Sequence, residues 1–275
     1  MRFQLLYILL FVLSGTSVNA HGDLHKRILE ATEEIQKNPD SANLYFKRGK
    51  LYFQHNNYIN GLGDFKQAQK LGVDCLEQDF YIAKSNYHLE KFQESKRLIK
   101  KILRAEPKNI GALKLLADIY FKKGKYEKSA KLYDDVIQNS EKTFPENYLY
   151  ASNAWYATDK AYGRQRSQSI LIEGIENLGD VLVLYDQLIS NFMDMKDFDS
   201  AVKYQNKVIE ISNRKERAYL KLANIQIQQK KFNEAELSIV KAEESYEKLP
   251  HRIRNAKFMR EFYSELQLKK SSLKK

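Results

Sequence analysis

A single cysteine, Cys75, among 275 residues excludes any internal disulfide, so the fold must hold together by packing. Four prolines and eleven glycines are too few for a chain of strands joined by tight turns. Ala, Leu, Ile, Lys, Glu, Gln and Tyr fill the sequence instead, and the chain reads as all-α. The motifs GxxxxGK, HExxH, GxSxG and CxxC are all missing. The fragment "GLGD" at 61–64 falls inside a helical pattern rather than after a strand, which removes it as a phosphate loop. No pair among the 35 Asp and Glu residues stands out as an acid and a base. Catalysis is not expected. Cys75 itself reads as a small, half-buried filler in a turn.

Long apolar runs are also lacking. The stretch Leu5 to Leu13 is far short of the roughly 20 residues that span a bilayer. It belongs to "MRFQLLYILLFVLSGTSVNA", which has the basic start, apolar block and small-residue end of a secretory signal. Cleavage after Ala20 is expected, with no cysteine there for a lipid anchor, to give a chain that is periplasmic or extracellular and has no transmembrane segment. Losing Arg2 takes the formal charge from +11 to +10 (11 − 1) over 255 residues (275 − 20).

Periodicity organises the remainder. Segments 43–72, 112–138 and 218–244 share one layout. Tyr58, Phe92 and Tyr126 are spaced by 34, as are Phe198 and Phe232, and each opens the second helix of a unit. Three residues after each stands a small residue: Gly61, Ser95, Ser129, Ala201 and Ala235. A second small position, at Gly49, Ala83, Ala117 and Ala223, marks where two helices must approach closely. Pro39 and Pro107 stand at matching unit ends.

Gly49 with Tyr52, Tyr58, Gly61, Phe65 and Ala68, the 34-residue period and Pro107 resemble the tetratricopeptide repeat family. The resemblance implies a right-handed superhelical solenoid of antiparallel helix pairs with end-capping helices, and a protein-binding rather than catalytic role. Six units fit within 42–249, starting near Ala42, Leu76, Ile110, Phe144, Leu182 and Glu216. The fourth carries about four extra residues, placed in the turn "TDKAYGRQR". Ile189 replaces a small residue, while Asp79 and Asn147 stand where a large one is usual. Before the units, residues 21–39 read as a capping helix with Leu24, Ile28, Ala31 and Ile35 on one face and Asp23 as N-cap. After them, 250–275 reads as a last helix with Ile253, Phe258, Phe262 and Leu266 inward and a basic tail.

The family's ligand-facing positions fall on the first helix of each unit. Here they are Asn43, Phe46, Lys50 and Phe53; then Phe80, Lys84, Tyr87 and His88; then Lys114, Asp118, Phe121 and Lys122; then Tyr148, Ser152 and Trp155. The wall they imply is aromatic and basic, suited to an acidic or aromatic-rich protein segment. Aromatics at helical spacing equally suit a core, and lysines a solvated face. Chaperone-binding members of the family hold a terminal carboxylate with Asn and Lys four residues apart. The pair here is Phe46 and Lys50, and that activity is not implied. Export argues against nucleic acid as the polyanion.

A second class remains open. Cleavage at Ala20 exposes the α-amine of His21 beside its own imidazole, with His25 four residues on, a set of nitrogens that suits copper or nickel. The opening "HGDLHKRI" is also similar to that of exported bacterial repeat proteins. The competing reading makes Asp23 a helix cap and His25 an exposed helix residue, with no cofactor.

Overall fold

A computed structural model describes residues 17–273, with side chains from Asp23 onward. Residues 1–16 of the expected signal and the side chain of His21 lie outside the described residues. Among those described there are fifteen helices and no strand. The chain divides into two compact units, Met1–Asn139 and Ser140–Lys275.

In the first unit α1 (Ser17–Lys37) precedes three helix pairs: α2 (Ala42–Gln54) with α3 (Tyr58–Lys70), α4 (Leu76–His88) with α5 (Phe92–Ala105), and α6 (Ile110–Lys122) with α7 (Tyr126–Asn139). The helices begin at the residues where the repeat register places them. α2 also touches α4, and α4 touches α6, so the first helices share one face. α1 lays Ile28 and Ala31 on Leu51, with Leu24 and Tyr52 alongside. It already runs through position 23, so Asp23 sits inside the helix and is not its N-cap.

A repeated turn explains why each first helix stops where it does. Asn56, Glu90 and Gly124 have φ of 58°, 58° and 68°, each two residues before the aromatic that opens the next helix. The amides of Asn57, Lys91 and Lys125 then donate to the carbonyls of Tyr52, Asn86 and Tyr120, each at 2.8 Å. That six-to-one bond over a left-handed residue closes a helix C-terminus. Asn57 and Asn109 in turn cap α3 and α6, accepting from the amides of Asn60 and Ala112.

The small positions sit where the paired helices cross, and Ala83, Ser95, Ala117 and Ser129 are fully buried. Ser95 Oγ donates to the Ala83 carbonyl at 2.7 Å and Ser129 Oγ to that of Ala117 at 2.8 Å, which a bulkier side chain would prevent. Phe65, Ile82, Ile99, Ile102, Leu115 and Ile119 fill the core between pairs. Asp79 is buried, with Lys101 Nζ 2.8 Å from its Oδ2.

The second unit holds α8 (Pro145–Tyr156), α9 (Ala161–Leu178), α10 (Leu182–Asp194), α11 (Phe198–Ile211), α12 (Glu216–Gln228), α13 (Phe232–Glu247), α14 (His251–Arg254) and α15 (Lys257–Leu273). The extra residues of its first pair add only one residue to the turn, 157–160. Asp159 takes the left-handed place two residues before Ala161, as Lys196 and Lys230 do before Phe198 and Phe232, and the surplus extends α9 to 18 residues. The C-terminal segment is broken into α14 and α15 rather than forming one helix. Met259, Phe262 and Leu266 are buried against Ile239, Ala242 and Tyr246, with Ile253 beside them. Phe258, expected inward, is half exposed, because the break at Asn255 and Ala256 turns Met259 to the core in its place.

Candidate functional site

The ligand-facing positions of the first unit come together on the shared face of α2, α4 and α6. Aromatic rings form its base. Phe46 meets Phe65 and Tyr81 edge-on at 5.8 and 6.1 Å, and Phe53 meets Tyr58, Tyr81 and His88 at 5.3, 5.6 and 5.7 Å. The tip of Phe80 covers Gly111 so closely that a Cβ there would lie 2.8 Å from its Cζ. Tyr87 packs edge-on to Phe92. These rings are half-buried, each with one side committed to neighbouring helices. Tyr81, at the centre of the cluster, escaped the sequence reading; its only signal was its place beside Phe80.

The cations lie on the remaining ring faces. Lys50 Nζ is 4.8 Å from the Phe46 centroid and 5.9 Å from that of Tyr81, while Lys84 Nζ is 4.9 Å from Phe53 and 5.6 Å from Phe80. Such contacts strengthen as water is removed. Lys50 is answered by Glu77 Oε1 at 3.2 Å, a partner absent from the sequence reading. Lys114 and Lys122 act on Asp118, which also accepts a hydrogen bond from the Tyr133 hydroxyl. The surface is therefore less uniformly basic than four lysines suggest. Lys84 differs: no carboxylate of the described residues lies within ion-pair distance, and burial holds its pKa below the ordinary lysine value.

His88 stacks on Tyr58, with centroids 4.2 Å apart and planes within 4°. Burial and then the Lys84 charge keep its pKa down against the pull of Asp118. Burial raises Asp118 above the usual carboxylate value, against the Tyr133 hydrogen bond and the charges of Lys114, Lys122 and His88. Asn43 and Lys122 are exposed at opposite borders, and Phe121 is 37% exposed.

Three expected wall residues are not surface groups. Ser152 is fully buried, with its hydroxyl 2.7 Å from that of Ser167. Tyr148 is 1% exposed: its ring fills the space over Gly174, where a Cβ would lie 2.7 Å from its Cγ, and Asn177 Nδ2 donates to its hydroxyl at 3.1 Å. Trp155 is also buried, with Tyr162 edge-on at 5.8 Å. The lengthened α9 carries Tyr162, Gly174 and Asn177 over these two rings, so they serve the core of their own unit. Cys75 is exposed immediately before α4 and is not a packed filler. His25 is exposed on α1, and among the described residues no three His, Cys, Asp or Glu side chains gather into a metal site.

The architecture is that of an all-helical repeat scaffold. Residues 87–146 and 190–215 match tetratricopeptide repeat family models, so the chain carries tetratricopeptide repeats in those segments. No curated protein matches it. The C-terminal part of a TPR repeat-containing protein from Cytophaga hutchinsonii is similar in structure, with a TM-score of 0.67, 12% identity, and 86% of this chain and 95% of that one covered. A tetratricopeptide repeat protein from Parabacteroides merdae gives 0.56 at 17% identity, covering 92% and 94%. PilF of Pseudomonas aeruginosa gives 0.51 at 11%, covering 82% and 97%. At such identities the likeness is one of fold. The repeat fold suggests a protein-binding scaffold of a typically non-catalytic kind, and no described helix is long and apolar enough to cross a membrane.

Proposed function

We propose that the chain is a non-catalytic scaffold whose N-terminal unit holds an acidic segment of another protein on the shared face of α2, α4 and α6. The observation that carries this is Lys84, a half-buried cation between Phe53 and Phe80 with no carboxylate of the described residues to answer it. A partner's Asp, Glu or terminal carboxylate placed there gains an ion pair in a partly dry setting, while its apolar flank covers the rings. Lys50, already paired, contributes less.

The mature chain, immobilised and exposed to proteins of the cell envelope, tests the reading. Lys84→Gln keeps most of the aliphatic stem and is expected to leave melting unchanged while weakening the captured acidic partner about 30-fold or more. Lys50→Gln is expected to change affinity only a few-fold. Equal retention by Lys84→Gln and the native chain would move the binding surface elsewhere.

Export belongs to the same proposal. It rests on the signal-like pattern of residues 1–20, and it makes a protein rather than a nucleic acid the acidic partner. Mass spectrometry of the protein recovered from its native cells is expected to find His21 at the N-terminus. A chain retaining Met1 would return it to the cytoplasm.

A further inference from the structure

A second feature of the N-terminal unit lies on the other side of α4. Asp79, Ile82 and Asn86 recur at helical spacing away from Phe80, Lys84 and Tyr87, and they floor a cleft of about 410 Å³ between α3 and α5. Its size lies within the range of small-ligand sites. Lys66 of α3, Lys91 at the start of α5 and Arg97 on α5 line it. Lys101 is occupied, with its Nζ 2.8 Å from Asp79 Oδ2 and 3.4 Å from Asp74 Oδ1. Lys66, Lys91 and Arg97 are not. Glu94 lines the same cleft, yet no carboxylate of the described residues comes within ion-pair distance of these three. At the floor, Asn86 is only 6% exposed, with its carboxamide at the solvent edge of the cleft and hydrogen-bonded to no described residue.

Unpaired like charges gathered at one cleft repel each other, and an anion placed among them relieves that repulsion. We infer that the cleft over α4, walled by Lys66, Lys91 and Arg97 and floored by Asn86, binds a small phosphate-bearing anion. The guanidinium of Arg97 offers a two-donor fork that matches a phosphoryl group, the lysines offer point charges, and Asn86 Nδ2 supplies a neutral donor. A dianionic phosphate ester uses more of these donors than a carboxylate does. Lys101 keeps the Asp79 charge from opposing the ligand. The site shares no residue with the Lys84 face.

Inorganic pyrophosphate titrated into the isotope-labelled mature chain is the primary test. Saturable binding tighter than about 1 mM is expected, with amide shifts centred on Asn86, Lys91 and Arg97. Lys91→Gln combined with Arg97→Gln is expected to weaken it at least tenfold. Asn86→Ala, which removes a donor that no described residue uses, is expected to weaken binding with little change of melting temperature. Lys84→Gln is expected to leave it unchanged, which separates this site from the proposed protein-binding face. Vesicles containing phosphatidate distinguish the source of the phosphate: retention that depends on Arg97 assigns a lipid headgroup, and pyrophosphate binding without retention assigns a soluble ester. No saturation, indifference to the cleft variants, or equal affinity for glutarate would overturn the inference.

Discussion

Arg48→Met is expected to lower the stability of the N-terminal unit by about 3–5 kcal/mol, the range for breaking a buried ion pair from one side. Arg48 Nε and Nη2 donate to Asp64 Oδ2 and Oδ1 at 2.7 and 2.8 Å, and Nη1 donates to Thr32 Oγ1 at 3.1 Å. One guanidinium thereby ties α2 to α3 and to α1, and it lies against the rings of Tyr45 and Tyr52. The Asp64 side chain is only 9% exposed, so removing its partner leaves a carboxylate with little access to water. Hydrogen exchange of the α2 and α3 amides in the intact chain reads the loss locally, without treating two compact units as one transition. Arg48→Met with Asp64→Leu is expected to recover most of it, because an apolar pair of similar volume no longer buries a lone charge. A single variant within about 0.5 kcal/mol of the native chain would show the pair to be solvated.

That ion pair was not legible in the sequence, whereas the helix starts around it were. Tyr58, Phe92 and Tyr126 open helices because each follows the same left-handed turn by two residues, and a turn of fixed length transmits the 34-residue period directly to the backbone. The same logic failed at "TDKAYGRQR". An insertion read against a fixed period is placed in the turn by default, although extending a helix adds backbone hydrogen bonds and a longer turn adds none. Tyr148 and Trp155 were misjudged as a consequence, since the extended α9 is what lies over them. Positions on a helix face specify direction but not what the next helix brings to meet them. For that reason Phe46, Phe53 and Lys84 could be assigned to one face from spacing, while the Glu77 that neutralises Lys50 could not. The cleft over α4 was hidden for a further reason: Lys66, Asn86 and Arg97 come from three helices with no common period.

The second large effect concerns the crossing of α2 and α3, and it depends on which side chain is changed first. Phe65 is fully buried, and Phe65→Ala is expected to cost about 3–5 kcal/mol through lost burial and the cavity left behind. Gly49 faces that ring. A Cβ at position 49 would lie 2.6 Å from Phe65 Cε1 and 2.7 Å from Cδ1, closer than packed carbons approach. In the native chain, then, the roughly 1 kcal/mol that alanine gains over glycine within a helix is outweighed by overpacking of about 1–3 kcal/mol. Gly49→Ala alone is expected to destabilise. Once Phe65 is alanine, the three atoms nearest to that Cβ are gone. Gly49→Ala is then expected to recover about 1 kcal/mol, reversing its sign. Hydrogen exchange at α2 and α3 across the four-member cycle measures the coupling. If Gly49→Ala is equally unfavourable in both backgrounds, the close approach of the two backbones, seen also where a Cβ at Gly61 would lie 3.1 Å from the Gly49 carbonyl oxygen, excludes a side chain at 49 independently of the ring.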